Sequence, residues 1–517
     1  MSDTTPATLS ISLVAHTNVG KTTLARTLLG RDVGEVRDEA HVTAEATPHT
    51  LLESAAGDRL LLWDTPGFGD SERLARRLAQ AGNPLGWLLT EVWDRWRDRA
   101  FWASQHAVRH VLGQTDVALY LVNAAEAPED AAYLAPELQV LGLLHKPVLV
   151  LLNQLGAPGS AADEAAQLQR WQAHLDALAA QSRSGGMAGI AGNPQQRMAR
   201  VQAVLPLDAF ARCWVQEAVL LQAVAAALPA AQQGAMVRLT DAWAQHQRGV
   251  WRKSMTLLAE RLARAALDRE VLQGGAWRAP LQRLGAALGL PTGDDPQALA
   301  MAALAERLDA AIRRSTDALI SLHGLGGAAS GDVLDQLARH FARREPVSEG
   351  KAALWGGAVA GALAGLKADI ATGGLTLGGG LLAGGVLGAL GAAGAARGVN
   401  RIRGLHQPLL AWDDTVLDAL LRSALLGYLA VAHHGRGRGD WQPVEPPAAW
   451  GEAVDAALAG RRDAAQALWR ERAAWLAQPA MDTAPADWQD ELTRLLTEAV
   501  AKALRHLYPE AARLAGL

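Results

Sequence analysis

Cysteine is nearly absent from the chain, acidic and basic residues almost cancel, and phenylalanine and tyrosine are scarce. One cysteine, Cys213, excludes an internal disulfide and fits a reducing compartment. A net charge of −4 gives no overall electrostatic case for a nucleic-acid partner. The first residues, MSDTTPATLS, lack both the basic region and the apolar core of a secretory signal, so a cytoplasmic location is expected. Seventeen tryptophans outnumber four phenylalanines and four tyrosines, an excess to which composition alone assigns no role. Apolar material is plentiful. At 50% hydrophobic, 517 residues can fill cores in about two to four domains.

The most informative stretch is AHTNVGKTT, directly after the strand-like run LSISLVA. It fits the phosphate-loop pattern G-x-x-x-x-G-K-[ST] everywhere except at its first position, where Ala15 replaces glycine. The loop comprises Ala15, His16, Thr17, Asn18, Val19, Gly20, Lys21, Thr22 and Thr23. Gly20 lets backbone N–H groups approach phosphate, Lys21 reaches the β- and γ-phosphates, and the Thr22 hydroxyl can ligate Mg²⁺. The helix-like TTLARTLLG that follows offers its N-terminus to an anion.

Two apolar runs, HTLLESAA and RLLLWD, flank Gly57 and Asp58 and read as a hairpin. The second runs into DTPGFGD, where Asp64 can hold Mg²⁺ through water and Gly67 can give its N–H to a γ-phosphate. Strand-like DVALYLVNA and PVLVLLN then alternate with a helix-like stretch, PEDAAYLAPELQVLGLL, as a mostly parallel α/β sheet requires. VQAVLPL reads as the last strand, followed by a loop holding Asp208 and Ala209. A helix over AFARCWVQEAVLLQAVAAAL, with Cys213 inside it as a buried apolar residue, closes the domain near residue 230. Between residues 71 and 112, Trp93 and Trp96 are spaced to share a helix face, either as a buried stripe or as an interface for a partner or a second copy of the chain.

NVGKTTLARTLLG and the later DTPG resemble the Era/TrmE-like branch of the translation-factor-related GTPases, over roughly residues 8–230. The resemblance implies binding of GTP and GDP with Mg²⁺, hydrolysis of GTP, and a role as a nucleotide-dependent switch. It makes Thr43 the switch threonine that binds Mg²⁺, with Thr47 in reserve. Asn18 matches the position that coordinates K⁺ in potassium-activated relatives, so K⁺ joins the expected cofactors. The catalytic set is then Lys21, Thr43 and Asn18, and the metal set Thr22, Thr43 and Asp64. Asn153 and Gln154 stand where the family carries N-K-x-D, and Asp208 with Ala209 match the base-contacting loop. Gly156 replaces the final Asp of that motif, which leaves the preference for guanine over adenine open. Phe68 stands where some GTPases place a water-orienting glutamine, so hydrolysis by the chain alone is expected to be slow.

The C-terminal half reads as helical: residues 231–350, a Gly/Ala-rich hairpin at 351–404, and 405–517. In Ala352–Ala396, 28 of 45 residues are Gly or Ala, and only Lys367 and Asp369 are charged. Gly357, Gly361 and Gly365 repeat every four residues, as do Gly380, Gly384 and Gly388, which suits close helix pairing. Ile370–Ala396 would reach about 40 Å as a helix, enough to span a bilayer, and Ala352–Leu366 about 22 Å. Basic residues flank both ends, as in a hairpin with cytoplasmic termini at an inner membrane; a tightly packed soluble hairpin is the other reading. His433 and His434 read as solvated loop histidines. With GEVRD, NQLG and this apolar segment, the layout resembles a proteobacterial group of predicted GTPases with an uncharacterised C-terminal domain. Besides a membrane-associated switch acting on a protein effector, a dynamin-like assembling enzyme and a nucleotide-binding scaffold with little turnover remain as readings.

Overall fold

The computed structural model describes residues 6–31, 33, 46–80, 86, 99–156, 161–183, 198–211, 213–271, 296–325, 409–412, 414–435, 447–476 and 483–517. Thr43, Trp93, Trp96 and the segment 352–396 lie outside these residues. The chain divides into two compact units. The first is Met1–Arg248 with His433–Gly439 and Tyr508–Leu517, and the second is Gly249–Ala432 with Asp440–Leu507.

The first unit is built on a six-stranded sheet in the order β2-β3-β1-β4-β5-β6. The strands are β1 (Thr8–Ala15), β2 (Thr47–Glu53), β3 (Arg59–Asp64), β4 (Val117–Asn123), β5 (Val148–Asn153) and β6 (Val201–Pro206). All pairs are parallel except β2 with β3, the expected hairpin, which turns at Gly57 with φ +85°. VALYLVN and VLVLLN are nearly continuous apolar strings because β4 and β5 are covered on both faces. Each fully buried leucine there contributes about 1.5–3 kcal/mol of burial free energy. The helices are α1 (Lys21–Leu29), α2 (Ser71–Gln80), α3 (Arg99–Gln114), α4 (Leu134–Gly142), α5 (Ala161–Arg183) and α6 (Trp214–Ala227). Parallel connections bring the ends of β1, β3, β5 and β6 to one edge of the sheet, where ligands bind in open α/β folds.

α7 (Ala230–Leu267) is a single helix that begins in the first unit. Its Arg238 makes a bidentate ion pair with the fully buried Asp58 at the hairpin turn, Nε–Oδ2 2.7 Å and Nη2–Oδ1 2.8 Å. Its Gln232 donates to Asp116, which also accepts from the backbone of Ser10. These bonds fasten the start of α7 to the sheet and carry the unit past residue 230 to Arg248. Cys213 is buried but precedes α6 as its N-cap, so the helix starts later than the sequence pattern suggests. His433 is buried and stacks on Tyr508 at 5.6 Å, which corrects the reading of a solvated histidine.

The second unit is mainly helical: the end of α7, α8 (Pro296–Leu322), α9 (Asp414–Ala432), α10 (Ala448–Ala459), α11 (Arg462–Leu476) and α12 (Ala486–Leu507). Leu492, Leu495, Leu496, Ala499, Val500, Ala503 and Leu504 give α12 the apolar face of an amphipathic helix. Trp469 and Trp488 are buried with ring centroids 6.1 Å apart, so part of the tryptophan excess is core. α9 is long and apolar enough to cross a membrane by length and composition, and 72% of its most apolar window is buried. A short antiparallel pair, β7 (Arg269–Val271) with β8 (Leu409–Ala411), has no counterpart in the sequence pattern, because three residues show no alternation. α13 (Pro509–Leu514) belongs to the first unit, where it packs on α6.

Candidate functional site

The loop between β1 and α1 is shaped by two left-handed residues, Asn18 (φ +66°) and Gly20 (φ +92°). A Cβ on Gly20 would stand 2.9 Å from Asn153 Nδ2, so this position needs glycine for its space as well as its backbone. Ala15 is different. It ends β1 in strand conformation, fully buried, so alanine costs the loop no strain at its first position.

Lys21 is buried and folds back on the loop, its Nζ donating to the carbonyls of His16 (3.3 Å) and Ala15 (3.5 Å). Burial pushes its ammonium below the usual lysine range, while Asp64 and Glu137 act in the opposite direction. A buried cation held by two long carbonyl contacts would gain far more from a phosphate. DTPG closes on the same loop. Phe68 donates its N–H to Ala15 O (2.9 Å), and its carbonyl accepts from Thr17 N (3.2 Å) and Thr17 Oγ1 (2.8 Å). A Cβ on Gly67 would lie 2.9 Å from Lys21 Nζ and 3.2 Å from Thr17 Cα, so a side chain there would crowd the lysine and the loop.

The Thr22 hydroxyl donates to Asp64 Oδ2 at 2.6 Å. Asp64 is buried, and its Oδ1 has no hydrogen-bond partner among the described residues. Burial raises its carboxyl above the usual range, opposed by Thr22 and Lys21. A carboxylate with an orphaned buried oxygen beside a hydroxyl is a donor set of hard oxygens, and it fits Mg²⁺. Bound there, the ion would lie with Thr22 and Asp64 and neutralise phosphate charge. Thr47 opens β2, exposed and in register with Asp64, while Thr43 lies outside the described residues.

On the other side of the loop, Asn153 is fully buried and acts as a latch. Its Nδ2 donates to Val19 O (2.7 Å), and its Oδ1 accepts from Ala209 N (2.8 Å). Thr27 Oγ1 donates to Ala209 O at 2.7 Å. Asp208 accepts from the backbone of Leu155 through Oδ2 (2.9 Å) and of Phe210 through Oδ1 (2.8 Å), tying the loops after β5 and β6 together. Gln154 and Gly156 both have left-handed backbones, φ +60° and +85°, and a Cβ on Gly156 would meet nothing within 4 Å. The structure thus brings Asp64 and Gly67 against Ala15–Thr23 on one side of the loop, with Asn153, Gln154, Asp208 and Ala209 on the other.

Sequence reasoning missed one cluster. The fully buried Glu137 bonds His16 Nδ1 through Oε1 (2.7 Å) and accepts from the Tyr120 hydroxyl through Oε2 (2.7 Å). Ser71, at the start of α2, adds a further hydrogen bond. His16 also stacks on Tyr133 at 4.8 Å. Burial raises the Glu137 carboxyl above its ordinary range, and His16 leads the groups that oppose this. A glutamate among Leu134, Leu138 and Leu141 on the buried face of α4 was the available signal.

Residues 10–154 match the family model described as 50S ribosome-binding GTPase, and residues 343–501 match a domain of unknown function, DUF3482. No curated protein matches the chain. Among solved structures it is similar to a variant of Era from Aquifex aeolicus bound to GDP·AlF4⁻, at 16% identity and a TM-score of 0.28, covering 43% of this chain and 57% of that one. It is similar to Era in complex with MgGDPNP and nucleotides 1506–1542 of 16S ribosomal RNA, at 16% identity and a TM-score of 0.29, covering 44% and 58%. A mutant of S. thermophilus NFeoB bound to GMPPNP gives 15% identity and a TM-score of 0.21, covering 44% and 77%. The chain therefore spans less than two thirds of the length of the Era chains it matches. The family match, on the segment that carries the phosphate loop and DTPG, makes residues 10–154 a P-loop GTPase domain.

Proposed function

We propose that this chain is a GTP-binding switch that hydrolyses GTP to GDP and phosphate with Mg²⁺. The observation that carries the reading is the convergence of Lys21, the Thr22–Asp64 pair and Gly67 on one loop. Lys21 would hold the β- and γ-phosphates, Gly67 would meet the γ-phosphate through its N–H, and Thr22 with Asp64 would hold the metal. The fully buried Phe68 has no group to orient water, which favours slow turnover in the absence of a further stabilising charge. Asn18, held in the loop with a left-handed backbone, is the residue through which K⁺ would supply that charge. Membrane association through 352–396 and action on a protein effector complete the reading. They rest on the uncharged runs, the glycine spacing and the basic flanks.

Phosphate release from GTP, measured with Mg²⁺ in K⁺ and in Na⁺, tests it. Slow release that stops on chelation of Mg²⁺ and is faster in K⁺ is expected. Equal rates in the two salts would remove the K⁺ role. Binding without release in either salt would leave a nucleotide-binding scaffold with little turnover.

A further inference from the structure

The base-contacting loop after β6 is held by two segments from far along the sequence. His434 pairs with Ala211 in an antiparallel bridge. The next residue, Gly435, approaches the loop so closely that a Cβ on it would stand 2.4 Å from Ala209 O and 2.7 Å from Phe210 C. Both are backbone atoms of the segment whose Ala209 N–H is latched to Asn153. From the other segment, Tyr508 is stacked by His433. It lines a cavity of about 260 Å³ together with Leu155, Gly156, Asp208 and Ala211. α13 then packs along α6, which follows the same loop. The loop is thus braced from Gly435 on one side and Tyr508 on another, and its own bonds lead to Val19 of the phosphate loop through Asn153.

We propose that Gly435, supported by His433 and Tyr508, is a positioning residue of the nucleotide site, fixing the base-contacting loop and so setting how fast bound nucleotide leaves. The inference rests on the reading of the N-terminal part as a nucleotide-binding switch and deepens it. The three atoms nearest to a Cβ on Gly435 are all backbone, with no flexible side chain end to yield, so a side chain there must displace the loop. A nucleotide that orders this loop must, by reciprocity, also order the segments braced against it.

The test uses the full chain and a fluorescent GDP analogue. Gly435→Ala is expected to raise the dissociation rate by about tenfold, the equivalent of one lost hydrogen bond. The turnover number at saturating GTP should change less than the dissociation rate, because the displaced loop reaches Val19 only through Asn153. Hydrogen exchange of the unmodified protein provides the second arm: added GDP should slow exchange at 433–435 and 508–517. Unchanged dissociation in a folded variant, or no protection of these segments in a protein that binds GDP, would overturn the proposal alone. Absence of GDP binding by the unmodified protein would overturn the parent reading, and this one with it.

Discussion

Asn153 Nδ2 donates to the carbonyl of Val19 at 2.7 Å, so the end of β5 is bonded directly to the phosphate loop. Its Oδ1 accepts from Ala209 N, which makes this side chain the link between the loop after β1 and the loop after β6. Asn153→Ala leaves a buried carbonyl and a buried N–H unsatisfied, at about 1–3 kcal/mol each. A lower melting temperature and at least about tenfold weaker nucleotide binding are expected. Asn153→Asp keeps the acceptor for Ala209 but turns an oxygen toward Val19 O, so it should not restore binding. Thermal melts with and without GDP check both, and wild-type behaviour of Asn153→Ala would contradict the latch.

On the proposed reading, Gly156 stands where a guanine-recognising aspartate would be. A Cβ there meets nothing within 4 Å, so an aspartate has room, although φ +85° costs it about 1–2 kcal/mol. Gly156→Asp is expected to raise the preference for GTP over ATP by at least about tenfold, because a bidentate acceptor rejects a base that cannot pair with it. The ratio of dissociation constants measures this directly. An unchanged ratio would mean that the base does not face this residue.

The phosphate loop, the hairpin at Gly57 and the apolar strings of β4 and β5 were legible in the sequence because each is a local pattern of spacing or period. Contacts between distant positions were not. Glu137 reads as one helical glutamate until the fold sets it on His16, and His433 reads as a solvated histidine until Tyr508 covers it. Cys213 looked helical by its neighbours, but the Asp208–Ala211 turn delays the start of α6. The role of Ala15 became clear from backbone conformation, which its spacing does not carry.

The Asp58–Arg238 pair gives the first unit an acid-sensitive bond. Arg238 leads the groups that hold the Asp58 carboxyl far below the usual carboxylate range. A depressed folded-state pKa adds stability that is complete above the unfolded value, near 3.8, and is lost as pH falls through the lower folded value. Arg238→Met should therefore lower the melting temperature by a few degrees at pH 7, and the gap to wild type should shrink below about pH 4. A gap that stays constant down to pH 2 would show that the aliphatic stem, not the charge, does the holding.

On the proposed reading, the 352–396 segment decides location. Full-length protein is expected to sediment with membranes and to resist extraction by high salt or carbonate. Deleting 352–396 should release it to the soluble fraction with GDP affinity changed by less than about threefold. Full-length protein that stays monodisperse without detergent would make the segment a packed element of a soluble protein, and the effector a protein.

On the proposed reading, Lys21 holds a nucleoside triphosphate in the loop from Ala15 to Thr23. Equilibrium titration of a fluorescent GTP analogue with Mg²⁺, on wild type and Lys21→Ala, tests it most directly. Wild type should bind, and Lys21→Ala should lose at least about 100-fold in affinity, the worth of a charge-assisted bond to phosphate. Equal affinity of the two proteins would contradict the account.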